Sequence, residues 1–214
     1  MSSKFCRGSE WRKWDLHVHT PESVLNNQFG NDWDLYVKKL FNSAIANNVH
    51  VIGITDYFSI EGYKKIVTEY INDDEKLLKL FSEEISADEN YINKIKSIRL
   101  LPNIEFRVDK IVTSKKDGEK PRKLNYHVIF SDNLDITEIE ENFLEDIEFS
   151  YQANPRLGFE NRKLKRHNLI ALGQKLRSEH ETFKDKSDYY IGCMNAAVSP
   201  ENICDILFKE RPHL

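Results

Sequence analysis

Apolar and polar residues first alternate with a period of two at Trp14-Asp15-Leu16-His17-Val18-His19. That spacing predicts a strand with Trp14, Leu16 and Val18 on one side and Asp15, His17 and His19 on the other. Thr20-Pro21 ends it. From Asp34 to Asn48 the spacing turns helical, and Leu35, Leu40, Phe41, Ala44 and Ile45 form the expected buried stripe. Val49 to Thr55 reads as an apolar run, as expected of a strand covered on both faces. Strand, helix and strand in this order predict a βαβ unit and hence a parallel sheet.

Ile60 to Ser97 is charged and reads as two helices broken near Asn72-Asp73-Asp74. A short strand is expected around Ile104, beginning after Pro102 because proline lacks the N–H a ladder interior needs. Val108 to Thr113 and Leu124 to Phe130 flank the turn signal Asp117-Gly118, which predicts a hairpin. Ile136 to Phe149 reads as an acidic helix. Asn161 to His180 reads as a basic one, with Leu164, Leu169, Leu172 and Leu176 inward and Arg162, Lys163, Lys165 and Arg166 at its start. Cations at a helix N-terminus oppose the helix dipole, so these either face solvent near the acidic helix or meet phosphates. Ser199-Pro200 supplies an N-cap and first-turn proline for a last helix reaching Lys209.

Composition narrows the function classes. The 214 residues suit one domain with a single core, and 40% are hydrophobic. Thirty-one Lys and Arg against 35 Asp and Glu leave a net charge of −4, so any nucleic-acid contact must come from a local patch. No run approaches ~18 apolar residues, which argues against a spanning helix and a membrane partner. Met1 to Arg7 carries no apolar secretory stretch. Cys6, Cys193 and Cys204 lack a CxxC pair and read as free thiols of a cytoplasmic protein. No GxxxxGK[ST] loop is present, so these residues are not expected to hydrolyse ATP.

His17 and His19, two apart on a strand, project to one side and can chelate one ion. Taken alone the pair is a weak signal, equally consistent with polar residues at a strand end. Three further strand-like segments carry a potential ligand: Asp56 after Val51-Ile52-Gly53-Ile54-Thr55, Glu105 after Leu101-Pro102-Asn103-Ile104, and His127 within Tyr126-His127-Val128-Ile129. Each has a plainer reading: Asp56 as a helix cap, Glu105 as a salt-bridge partner, His127 as a hydrogen-bonded strand residue. Ligands at the carboxyl ends of successive parallel strands nevertheless converge in barrel-like α/β folds, and a His–carboxylate mixture suits zinc, manganese or iron. Arg107 shares Glu105's strand face and reads as an ordinary surface arginine, with a phosphate contact as the alternative.

These segments carry a resemblance. Asp15-Leu16-His17-Val18-His19-Thr20 resembles the first motif of the PHP (polymerase and histidinol phosphatase) superfamily, Gly53-Ile54-Thr55-Asp56 its second, Leu101-Pro102-Asn103-Ile104-Glu105 its third, and His127 the histidine that follows. The lead-in Gly8 to Trp14 is similar to PHP domains that open long PHP–ATPase proteins of the TrlF type, some of which act in antiphage defence. Asp56 to Tyr63, Leu176-Arg177-Ser178-Glu179 and Ile191-Gly192-Cys193 fit that subgroup. The resemblance implies an α/β fold, a distorted (β/α)7 TIM-like barrel spanning residues 1–214, incomplete at its C-terminus. It also implies divalent ions (Mn2+, Zn2+ or Fe2+), two in number, held by His17, His19, Glu105 and His127. Glu105 would bridge, and Asp56 would act as a ligand or as an orienting residue. The implied activity is phosphoester hydrolysis, most specifically by a nuclease module on nucleic acid, with an ATPase domain or subunit as partner.

Two features depart from the family pattern. Tyr57 stands where many members have histidine, and a phenol with a pKa near ~10 is a poorer ligand, so a third ion would be absent or weakly held. The late Asp-x-His motif has no counterpart around His167, His180 or His213, which suggests a fragment of a longer protein. Two other functions stay open: a phosphatase acting on a small phosphorylated metabolite, and a degenerate metal- or nucleic-acid-binding domain that regulates an ATPase.

Overall fold

A computed structural model of the chain describes residues 11–25, 27–113, 122–151 and 162–214. Cys6, the Gly8–Glu10 lead-in and the Asp117-Gly118 turn lie outside them. The architecture is mixed α/β around a seven-stranded sheet. Strands β1 (Lys13–His19), β2 (Val49–Tyr57) and β3 (Arg99–Val112) run parallel, β4 (Arg122–Ile129) pairs antiparallel with β3, and β7 (Ala197–Val198) pairs parallel with β3 at Val108. β5 (Glu148–Ser150) and β6 (Arg162–Lys163) complete the path by antiparallel pairing. The sheet is open: β1 pairs only with β2 and β6 only with β5 among the described residues.

The expected βαβ unit forms. Its helix α1 (Trp33–Ala46) is capped by Asp32, which accepts from the Leu35 amide. Of the expected stripe, Phe41 and Ala44 are buried and Leu40 and Ile45 pack on the core, whereas Leu35 is 43% exposed and Trp33, Tyr36 and Val37 complete the buried face. Counting the aromatic pair Trp33 and Tyr36 as core residues shifts the apolar face by about one position. Trp14 is likewise exposed, with little to cover that face of the strand among the described residues.

The second crossover breaks further than the sequence suggests. It runs through α2 (Glu61–Ile66), a wider π turn to Ile71, then α3 (Asp74–Leu80), α4 (Ser82–Ala87) and α5 (Tyr91–Lys96). The break near Asn72-Asp73 is present, with Asp73 capping α3.

The strand expected to begin after Pro102 instead passes through it. Pro102 pairs with Ile54, and its carbonyl accepts from the Phe130 amide at 2.9 Å. A strand residue turns its nitrogen to the same side as its carbonyl, so the missing N–H faces the side where β4 has just ended. The expected hairpin pairing of β3 with β4 is present.

The acidic stretch is a short helix α6 (Ile136–Ile139), a π turn to Leu144 and then β5, rather than one helix. The basic one begins as β6, and only from Arg166 does it become α7 (Arg166–Glu179). Lys163 and Lys165 there pair with Glu148 and Glu145, matching the reading of a basic segment beside an acidic one. Helix α8 (Asp188–Asn195) packs on α7, and α9 (Pro200–Asp205) starts at the Ser199 cap as expected. One apolar core, with Phe41, Phe81, Phe106, Phe143 and Leu172 fully buried, joins both halves. Cys193 and Cys204 are free thiols. Among the described residues no helix is long and apolar enough to cross a membrane.

Candidate metal centre

The sheet brings His17, His19, Glu105 and His127 together. His17 and His19 end β1 on one face, and both Nε2 atoms approach Glu105 Oε2, at 3.1 and 3.2 Å, while lying 3.1 Å from each other. Two ligands about 2 Å from one shared ion stand about 3 Å apart, so these spacings fit a divalent cation. His127 arrives differently from the expected parallel convergence. β4 is antiparallel, and its register sets His127 directly across from Glu105. The His127 ring lies 4.4 Å from that of His17, and its Nε2 is 4.0 Å from Glu105 Oε1. Thus the two oxygens of one carboxylate face different imidazoles.

Burial shapes the chemistry. Glu105 is 1% exposed, while His17 opens to solvent with half its side chain exposed. Burial pushes the Glu105 carboxyl up, but the His19 hydrogen bond and the charges of His127, His17 and His19 outweigh it and hold the group below the usual glutamate range. For His127, burial outweighs the pull of Glu105, and the neighbouring imidazoles reinforce it, so its pKa falls and the ring favours its neutral, ligating form.

Residues to which the sequence assigned no role orient these ligands. Asn103, fully buried, donates to the Leu16 carbonyl at 2.6 Å and to Thr55 Oγ1 at 2.8 Å, tying β1 and β2 to β3. Its Oδ1 therefore accepts from His127 Nδ1 at 3.2 Å, which leaves the Nε2 lone pair free to ligate. Ser23, 1% exposed, holds His19 Nδ1 at 2.9 Å, and Asn125 donates to Glu105 Oε1. The one signal available was spacing: Asn103 and Asn125 each lie two residues from a ligand and so share its strand face. Tyr57 stacks on His19 with ring centroids 5.1 Å apart.

Asp56 stands beside this group rather than within it. Oδ1 accepts from Thr20 Oγ1 at 2.8 Å, and Oδ2 accepts from the Gly62 amide at 3.0 Å in the first turn of α2. Burial raises its pKa to about 7 against those bonds. Any Cβ at Gly62 would collide with Thr20 Oγ1 and Asp56 Oδ2. Between Asp56 and α2 the backbone turns at Phe58, which has φ 57°, a strained value for a bulky residue. Its N–H on the Glu105 carbonyl at 3.2 Å and its ring edge-on to Phe106 hold it there.

Arg107 is half-buried, not the surface arginine expected. One guanidinium N–H reaches the Met194 carbonyl at 3.3 Å, which draws the side chain between β3 and α8.

Among the described residues, His17, His19 and Glu105 form the group whose donor atoms all lie within 4.8 Å of one another. Comparison of the chain with protein-family models, curated proteins and solved structures finds no match.

Proposed function

We propose that the chain is a metal-dependent phosphoesterase, most specifically a nuclease module acting on nucleic acid, built on a PHP-type barrel of which the open sheet is a part. The observation that carries this reading is the convergence of three imidazoles from two strands on the buried Glu105 carboxylate. A divalent ion, Mn2+, Zn2+ or Fe2+, supplies Lewis-acid polarisation of a phosphoryl oxygen and acidifies water at such a centre. His17, His19 and Glu105 would hold one ion. His127, facing the other carboxylate oxygen, would hold a second, with Glu105 shared between them. Asn103 and Ser23 fix the ring orientations, and Asp56 anchors the turn after His19 through Thr20. The open, exposed side of His17 leaves room for a substrate phosphate. An ATPase domain or subunit is the partner this reading expects.

The test is cleavage of a single-stranded oligonucleotide with and without added Mn2+, in parallel with p-nitrophenyl phosphate, by the wild-type chain and Glu105→Ala. The reading expects Mn2+-dependent oligonucleotide cleavage that the substitution abolishes. Cleavage of the phosphomonoester alone would favour the metabolite phosphatase. Bound metal with neither activity would favour the regulatory domain.

A further inference from the structure

Among the described residues, Arg107 and two other cations, Lys123 and Arg166, have no acidic partner. Elsewhere Lys38, Lys64, Arg99, Lys165 and Arg177 each meet a carboxylate. Among the described residues none lies within ion-pair distance of Arg107, Lys123 or Arg166. The Arg107 guanidinium sits 6.0 Å from the centre of the Tyr57 ring, and its buried Nε has no hydrogen-bond partner. An unmade bond at a buried donor is costly.

These cations are neighbours. Arg107 pairs across the sheet with Asn125, which donates to Glu105, so the guanidinium lies one step along the strand from the metal centre. Lys123 precedes Asn125 by two residues on the same face of β4. Burial and the charge of Arg107 both push its ammonium pKa down, which reports two like charges close together. On the other side, Arg166 stands 4.0 Å over the Tyr189 ring. Arg107 reaches the Met194 carbonyl, and Tyr189 and Met194 both belong to α8, so one helix meets both guanidinium groups. In a chain of net charge −4, cations that gather beside Arg107 with no acidic partner among the described residues repel one another unless an anion joins them. A guanidinium fork suits phosphate, and cations drawn from β4, β3 and α7 suit several phosphates rather than one.

We propose that Lys123, Arg107 and Arg166 form a track for successive phosphates of a polynucleotide strand, with Arg107 on the phosphate nearest Glu105. This rests on the phosphoesterase reading and narrows its substrate to a phosphodiester chain.

The experiment measures binding of a fluorescent single-stranded dodecanucleotide by anisotropy in chelator, where nothing is cleaved. It compares the wild type with Arg107→Ala, Arg107→Lys, Lys123→Ala and Arg166→Ala. Mn2+ binding to each protein is measured separately by calorimetry. Arg107→Ala should weaken oligonucleotide binding about tenfold or more, Arg107→Lys should restore part of it, and the other two should cost severalfold. Each alanine should also flatten the slope of log affinity against log salt by about 0.7, a change that merely structural damage would not give. Mn2+ affinity should stay at the wild-type value. Wild-type oligonucleotide affinity in all three alanine variants would overturn the track. So would a loss confined to Arg107→Ala and matched with inorganic phosphate, which would mark a single-phosphate pocket. If the wild type binds no Mn2+ while the oligonucleotide losses persist, the metal reading fails and the track stands.

Discussion

Asp56 and Glu105 occupy neighbouring pockets, one closing β2 and the other within β3, and each is 1% exposed. Burial alone disfavours the charged form of both, yet their acidities part. Around Asp56 stand neutral donors, the Thr20 hydroxyl and the Gly62 amide, and the carboxyl rises to about 7. Around Glu105 stand three imidazoles and an amide, and the carboxyl stays below its usual range. Dipoles orient a buried acid without matching its charge, whereas ionisable ring nitrogens compensate it. The Asp56 pocket therefore serves as a joint between β1 and α2, and the Glu105 pocket is equipped to exchange its imidazole partners for a cation.

The largest expected contrast is in metal affinity. Glu105→Gln should weaken Mn2+ or Zn2+ binding by about a thousandfold, in line with the ~3–5 kcal/mol lost when one member of a buried charge group is removed. Asp56→Asn should leave it unchanged. Calorimetric titration of both variants measures the difference, and equal losses would mean that the two pockets do one job.

The next contrast is in stability against pH, read by urea unfolding in chelator. The raised pKa of Asp56 means that the folded state holds a proton which the unfolded chain releases at lower pH. Its contribution therefore favours folding below about pH 4 and is lost as pH rises toward about 7. Between about pH 5 and about pH 7.5 this amounts to about 2–3 kcal/mol. Asp56→Asn should remove that slope. Glu105 has the opposite sign: its contribution is present at neutral pH and is lost as pH falls through its depressed pKa. Glu105→Gln should flatten the acid side instead.

The smallest effect concerns orientation. Ser23→Ala frees His19 Nδ1 and should cost about tenfold in metal affinity with little change in folding, the usual effect of losing a partner behind a ligand. An unchanged affinity would show that stacking on Tyr57 alone orients the ring.

Much of this was legible in the sequence, for identifiable reasons. Period-two spacing placed His17 and His19 on one side of β1, and the βαβ rhythm gave the parallel pairing of β1, β2 and β3. In α1 only Leu35 misled, because a tyrosine and a tryptophan serve as core residues in its place. Pro102 misled because what matters is which side of the ladder lacks a partner, and that is set by where β4 ends. Asn103 escaped notice because its three bonds reach β1, β2 and β4, contacts that exist only after strands distant in sequence are in register. Arg107 was taken for a surface residue because α8, which covers it, lies some 80 positions away in the chain.

Whether His17, His19 and Glu105 are ligands of one ion is decided by anomalous diffraction from crystals grown with Mn2+ or Zn2+. A peak is expected about 2 Å from His17 Nε2, His19 Nε2 and Glu105 Oε2. Density that leaves those three side chains bonded only to one another, with the anomalous signal absent or elsewhere, would contradict it.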